Sequence, residues 1–593
     1  MNDPGTSLGG GFDPRDIADW QALIGDDLRV GDPARLVSRT EDGLEVRPLY
    51  TSGDFLTAPP RAAETVRRLG HIGAEANGRI AEAVTEELGH GATGVFFELS
   101  TPAHSDGLAV EPADWAAVFD AVQAEGSFHL HATADVLAHA RAWLECGMGN
   151  RTGCELGLDP FRVVTRSGDF DGLDESLASA ARLGAEALTH PARPRAFALD
   201  AQPYSSAGAS CAQSLACLLS ALVQTLRALE VANVDPARAL QTVGLCLRLD
   251  PHFFEQIAAL RALRLLHGRV AGACGVESAA PLHLTALPDD RMLSRRDPWV
   301  NMLRQTSTSF AALVGGADAV GAIAYDAKLE TSSVLGRRIA RNTPLILAEE
   351  SRLGLVQDPA AGSWFLDSMT RELAAAAWEF FQSIEAQGGL GATLKSGWLL
   401  ERLQVQQAER QERLVRRKQP RTGVSEFARI DEELPAAVAA AASLVGGAWP
   451  RHGFDDAFET LRAAADRHTI THARPSVFLA RAGSPAQYSA REAWLTNLVA
   501  AAGIEAIASD HEREMAAGFV ASGAATAILT GDDDSLAAEG PALARALGKF
   551  GTVWAVGRPS TDLEAAGVSG FVHLGIDVVD VLGELLTEQG VQR

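Results

Sequence analysis

From Gly94 to about Asp358 the chain repeats one pattern: a short apolar run, then a longer stretch with apolar residues at helical spacing. The runs are GVFFELS (94–100), SFHLHA (127–132), CELGLDP (154–160), AFALDA (196–201), TVGLCLRL (242–249), PLHLTAL (281–287), AVGAIAYD (319–326) and a weaker LVQD (355–358). Stretches such as ADWAAVFDAVQAEG and HFFEQIAALRALRLLHGRVAG fill the gaps. A strand that is apolar throughout is covered on both faces, as happens when helices return over a parallel sheet. Eight such units predict a parallel (β/α)8 barrel, in preference to an open doubly wound sheet.

A second series begins near Arg474, with strands VFLA (477–480), IEAIAS (504–509), ATAILTG (525–531), TVWAVG (552–557) and GFVHLG (570–575). Five units in that length predict an α/β flavodoxin-like doubly wound domain. The expected division is an extended arm over 1–60 with a helix near Ile17 to Ile24, the barrel over 61–386, a helical wrapping linker over 387–474, and the flavodoxin-like domain over 475–593. Within the linker, ERLQVQQAERQERLVRRKQPRTG reads as a solvated helix face and LPAAVAAAASLVGGAWP as an Ala-rich helix.

The formal charge of −24 argues against nucleic acid and anionic membranes as partners. No apolar run reaches the roughly 18 residues of a membrane span, and the acidic N-terminus lacks the pattern of an export signal. The six cysteines (146, 154, 211, 217, 246, 274) form no Cys-x-x-Cys pair and read as thiols of a reducing cytoplasm.

His129 and His131 are two apart on a strand and share a face, as a metal pair would, but no third ligand accompanies them. They read as polar groups lining an interior, and so does His283. Arg337, Arg338 and Arg341 sit at helical spacing and read as ion-pairing residues before phosphate ligands. DPAAGSW (358–364) reads as a tight chain reversal.

Several long collinear segments resemble one family. DPWVNMLRQTSTSFAALVGGADAVGAIAYD (297–326), RRIARNTPLILAEESRLGLVQDPAAGSWFLDSMTRELAAAAWEFFQSIEAQGG (337–389), FFEQIAALRALRLL (253–266) and RPLYTSGD (47–54) are similar to the adenosylcobalamin-dependent acyl-CoA mutases, methylmalonyl-CoA mutase above all. The order of barrel and flavodoxin-like domain also matches. The resemblance implies a CoA ester bound along the barrel axis. It also implies cobalamin on the C-terminal domain, its cobalt held by a His in an Asp-x-His-x-x-Gly loop after the first strand.

This chain departs from that pattern at each site. The loop position reads RAGSPAQYSAR (481–491), with neither Asp nor His. GDDDSL (531–536) and VGRPS (556–560) stand where the family has a Ser-rich turn and a Gly-Gly turn. ETVRRLGHIGAEANGRI lacks the Tyr of an Arg-Gln-Tyr-Ala-Gly stretch, DAQPYSSAGAS (200–210) keeps Tyr204 without the following His, and CELGLDPF (154–161) replaces a Gln-Asn-Asp run. These features resemble the small (beta) chain of the family's heterodimeric bacterial members. The implied role is a non-catalytic subunit that stabilises a homologous large chain. That partner would bind the CoA ester and adenosylcobalamin and isomerise methylmalonyl-CoA and succinyl-CoA. No catalytic, cofactor-binding or metal residue is then expected here. The rival readings are a stand-alone CoA-ester-binding or chaperone protein, and an active mutase with a rearranged cobalamin site.

Overall fold

The computed structural model describes residues 16–27, 32–52, 66–99, 108–122, 125–131, 135–146, 153–277, 281–329, 332–432, 448–508 and 515–592. Helix α1 (Ile17–Asp27) and a two-residue antiparallel ribbon, β1 (Ser38–Arg39) and β2 (Glu45–Val46), precede the barrel. The barrel strands are β3 (Arg67–Ile72), β4 (Gly94–Glu98), β5 (Ser127–His131), β6 (Glu155–Leu158), β7 (Arg195–Asp200), β8 (Val243–Leu249), β9 (His283–Pro288) and β10 (Ala319–Gly321). All are parallel, and β10 closes the ring against β3.

Seven of the strands lie on the apolar runs. The eighth does not: LVQD is a turn, with Leu355 and Val356 73% and 65% exposed. The ring is completed instead by RRLGHI, at its start. Gly70 is required there, because a Cβ would stand 2.6 Å from the Glu87 carboxylate.

Seven longer helices around the barrel matter below: α2 (Pro160–Ser167), α3 (Cys211–Val231), α4 (Phe253–Ala273), α5 (Trp299–Val314), α6 (Val334–Glu349), α7 (Trp364–Ala386) and α8 (Trp398–Val415). Helix α3 is, among the described residues, the one long and apolar enough to cross a membrane. It packs against α4 and α7, and 67% of its most apolar window is buried, as in a core helix. The chain reversal before α7 is as expected, with Asp358 and Gly362 at positive φ and the Ser363 hydroxyl capping the helix. Arg341 pairs with Glu87 at 2.8 Å inside the barrel wall.

The turn of the N-terminal ribbon reaches across two elements. The Asp42 carboxylate accepts from the Ser210 hydroxyl and, at 3.0 Å, from the Ala212 N–H, at the first turn of α3. Beside it, Glu41 pairs with Arg410 at 2.7 Å and Arg413 at 3.0 Å on α8. Burial pushes the Asp42 carboxyl up to about 6 despite these donors.

Helix α9 (Asp456–Thr469) leads into the C-terminal sheet; the Ala-rich helix expected before it lies largely in 433–447, outside the described residues. Strands β11 (Ser476–Arg481), β12 (Glu505–Ala508), β13 (Thr526–Thr530), β14 (Thr552–Val556) and β15 (Gly570–Val572) pair in parallel in the order β12-β11-β13-β14-β15. That is the flavodoxin-like order, with its topological switch between β11 and β13. Helix α10 (Pro485–Ala500) follows β11, and α11 (Asp533–Leu547) follows β13.

Helix α9 fastens to the barrel. Glu459 accepts from the Arg295 N–H at 2.6 Å, and Asp466 pairs with Arg296 at 2.6 Å. Burial, reinforced by Asp455, pushes the Glu459 carboxyl up from 4.5 to about 7. The folded chain therefore holds this proton to higher pH than the unfolded chain does. The stability so gained is full below pH 4.5 and is lost as pH rises through about 7. Glu459→Gln is expected to remove that pH dependence, about 3 kcal/mol between pH 4.5 and 7. The check is urea unfolding at several pH values; an unchanged slope would contradict the assignment.

Candidate functional site

Ligands of such folds bind at the C-terminal ends of the strands, in the barrel mouth and at the switch point of the open sheet. Both places hold side chains of the chain itself.

The barrel interior is layered. At the N-terminal end, Glu155 is 1% exposed and lies between His129 at 2.9 Å, His283 at 3.4 Å and Arg195 at 3.2 Å. Burial would raise the Glu155 carboxyl, but His283, His129 and Arg195 hold it below the usual carboxylate range. Burial, with Arg195 beside it, pushes His283 down to about 3. Above this layer sit Leu69, Phe96, Cys246, Leu287 and Ala319. They leave little space: a Cβ on Gly321 would meet Leu287 at 2.7 Å and Phe96 at 3.1 Å.

The third layer, at the mouth, is a charge network. Asp200 accepts from Arg248 at 2.6 and 2.9 Å and from Arg162 at 3.2 Å. His131 lies 3.5 Å from the same carboxylate. Arg162 also donates to Gln202 at 2.9 Å and lies 3.8 Å from Glu98, which pairs with His71 at 3.3 Å. Burial opposes ionisation of Asp200, yet Arg248 and Arg162 hold it well below the usual range. Burial would lower His71, but Glu98 and Glu75 outweigh it and raise it. Asp159 receives the Asp200 N–H at 2.9 Å and caps α2 through the Arg162 N–H. Burial raises its carboxyl to about 6.

His129 and His131 thus share the interior face, as expected, and each turns its Nδ1 to a carboxylate, Glu155 and Asp200 respectively. No group of three metal-ligating side chains occurs among the described residues. The sequence reading missed Glu98, Arg162, Asp200 and Arg248. Their signal was a charged residue at the C-terminal end of an otherwise apolar strand, or just after it.

Ser127, His129 and Glu155 are linked as nucleophile, base and orienting acid would be, at 2.9 Å for each contact. The arrangement has no room for a substrate. Ser127 is 3% exposed, and a Cβ on Gly94 would lie 2.3 Å from its hydroxyl. Tyr204 is 1% exposed and packs beside Trp449, with ring centroids 6.3 Å apart.

At the switch point, β11 passes almost directly into α10. Ser484 and Gln487 form a capping box, and Pro485 occupies the first turn. The Gly483 N–H, at φ +79°, donates to Glu539. From one turn further on, Arg491 reaches back over the strand ends, donating to the carbonyls of Gly531 at 2.7 Å and Val556 at 3.2 Å and pairing with Asp533 at 2.5 Å. Of the three acids in GDDDSL, Asp532 caps α11 through the Ser535 N–H and takes a contact from Gln487 at 3.4 Å. The segment from Leu479 to Ala490 contains no His, Cys, Asp or Glu.

Fold and interior define the class: a two-domain α/β protein, a (β/α)8 barrel joined to a flavodoxin-like domain, with its own charged side chains at both customary ligand positions. The family described as "Methylmalonyl-CoA mutase" matches residues 186–444. The methylmalonyl-CoA mutase small subunit of Streptomyces virginiae is 37% identical, over 100% of this chain and 99% of that protein. The probable small subunit of Mycobacterium bovis is 34% identical over 81% of this chain and 80% of its own. That of Propionibacterium freudenreichii subsp. shermanii is 33% identical over 74% and 69%. The chain belongs to the methylmalonyl-CoA mutase family and stands with its small subunits.

Proposed function

We propose that this chain is the non-catalytic subunit of a heterodimeric methylmalonyl-CoA mutase. A homologous large chain carries adenosylcobalamin and the CoA ester and isomerises methylmalonyl-CoA and succinyl-CoA. This chain stabilises it by burying a shared interface, as obligate partners do.

The observation that carries the reading is Arg491. Its guanidinium ties together the carbonyls of Gly531 and Val556, across the crevice where a cofactor would lie. The residues present do not fit cobalamin. The loop after β11 offers no imidazole to cobalt, the helix starts where a ligand loop would be, and Asp532 and Asp533 face the position of an anionic tail. The barrel supports the same reading: among the described residues its axis holds packed apolar side chains, and at its mouth Asp200 is paired with Arg248 and Arg162.

The test is to purify the tagged chain from its own cells and measure corrinoid absorbance against each chain present. The expected result is a near-equimolar longer homologue, with all corrinoid lost when that partner is stripped away. A lone chain that keeps stoichiometric corrinoid would overturn the proposal.

A further inference from the structure

Where α3 and α4 end, they and α7 leave a cavity of about 400 Å³ between them. Both α3 and α4 carry the chain back toward the start of the next barrel strand, so the cavity lies at the opposite end of the barrel from its mouth. Each helix gives it one face by four-residue spacing: Leu226 and Glu230 on α3, Val270 and Cys274 on α4, Phe381 and Glu385 on α7. In each pair the apolar member is buried and a polar, more exposed one follows about a turn later. The floor is therefore apolar and the rim polar. Trp378 adds an indole to the wall, and Ala273 brings only a methyl group to it, which leaves the space open. Two other cavities, of about 10 Å³ each, have room for a single water. Sites for small organic molecules run from about 300 to 1,000 Å³, apolar within and with a few placed polar groups.

The charges at the rim are unequally committed. Arg227 pairs with Glu385 at 3.0 Å, and Glu385 also accepts from the Ser220 hydroxyl at 2.6 Å. A further cation, Arg269, lies over the Trp378 ring at 3.9 Å and is spent on it. Glu230 is left over: among the described residues nothing bonds to its carboxylate. Burial, reinforced by the Glu230 carboxylate, raises the Cys274 thiol, so the acid stands close to the cavity wall.

We infer that this cavity binds a small amphipathic amine, its apolar aromatic body against Trp378 and Phe381 and its ammonium group on Glu230. Aromatic walls favour a ring in the body. The free acid favours a cation at the head, whereas an anionic head would meet Glu230 unscreened, in a chain of net charge −24. The inference goes beyond the heterodimer proposed above and does not rest on it.

The test uses the full chain as purified, with any chain that accompanies it. Naphthylethylamine and naphthylpropanoate share one body and differ in the charge of the head. Each is titrated while iodoacetamide alkylates Cys274, and the rate, read by peptide mass spectrometry, is compared with that of the same sample without the probe. The amine is expected to slow alkylation and to bind at least ~5-fold more tightly than the acid, as one exposed ion pair allows. Glu230→Gln is expected to abolish that preference while the body still binds. Ala273→Trp, at an exposed position where α4 ends, fills the space and is expected to weaken the amine at least ~10-fold. Equal protection of Cys274 in wild type and Ala273→Trp would overturn the inference. So would equal affinity for amine and acid, or a Cys274 alkylated no faster than the buried Cys217, since protein then covers the cavity.

Discussion

Asp200→Ala is expected to lower the free energy of unfolding by about 3–5 kcal/mol. Asp200 is 1% exposed and is the shared anion of Arg248 and Arg162. A buried ion pair adds little net stability over a well-packed apolar substitute, because desolvation cancels most of the attraction. Removing one partner differs, since the cations stay buried without compensation. Arg162 keeps Glu98 at 3.8 Å, but Arg248 has no other ion pair among the described residues. Alanine also removes the acceptor of the Gln202 N–H. The measurement is urea unfolding followed by the fluorescence of Trp115 and Trp143, both fully buried in the barrel wall. Combining Asp200→Ala with Arg248→Met should recover part of the loss, because one stranded charge is then gone. A cost below about 1 kcal/mol for the single change would refute the network account.

Gly157→Ala is expected to cost a comparable amount by steric means. Gly157 sits in β6 at φ +68°, where the register against β7 shifts. A Cβ there would stand 1.8 Å from the Leu130 carbonyl oxygen of β5, a backbone atom that cannot rotate away. Left-handed backbone alone costs a non-glycine residue about 1–2 kcal/mol. Relieving the overlap means separating β5 from β6 and breaking ring closure, so the total reaches about 3 kcal/mol or more. The expected readout is a lowered barrel transition or a chain lost to aggregates. A variant that unfolds within 1 kcal/mol of wild type, on the order of an ordinary surface change, would show that the bulge yields.

Most of the fold was legible because a covered parallel strand advertises itself. VFLA, ATAILTG and TVGLCLRL are short runs of mostly apolar residues between turn signals, repeated at regular spacing, as strands covered on both faces are. RRLGHI escaped because its inward residues include His71 and its closest approach needs Gly70, which breaks the apolar run. LVQD misled for the opposite reason: Leu355 and Val356 are apolar yet exposed, and sequence alone does not distinguish core from open surface. At the switch point the sequence showed a loop without Asp or His, but not which side chain lies over the strand ends. Arg491 lies ten residues beyond the end of β11 and returns only because α10 turns it toward the strand ends. The network at the barrel mouth was hidden similarly. Glu98, Asp200 and Arg248 come from three strands, and nothing in their spacing says that they meet.

The ribbon between β1 and β2 carries a consequence for how the chain is made. Asp42 finds its donors 168 and 170 residues later, and Glu41 reaches Arg413 at a separation of 372. A ribosome releases the ribbon first, yet neither the α3 amides nor the α8 guanidinium groups exist until much of the barrel has been synthesised. The first-made structure is therefore among the last to dock, and contacts of such range slow the final step. Until α3 and then α8 emerge, Asp42 and Glu41 in turn remain in water. Their capture reports that the barrel and the helix leading from it have both been completed.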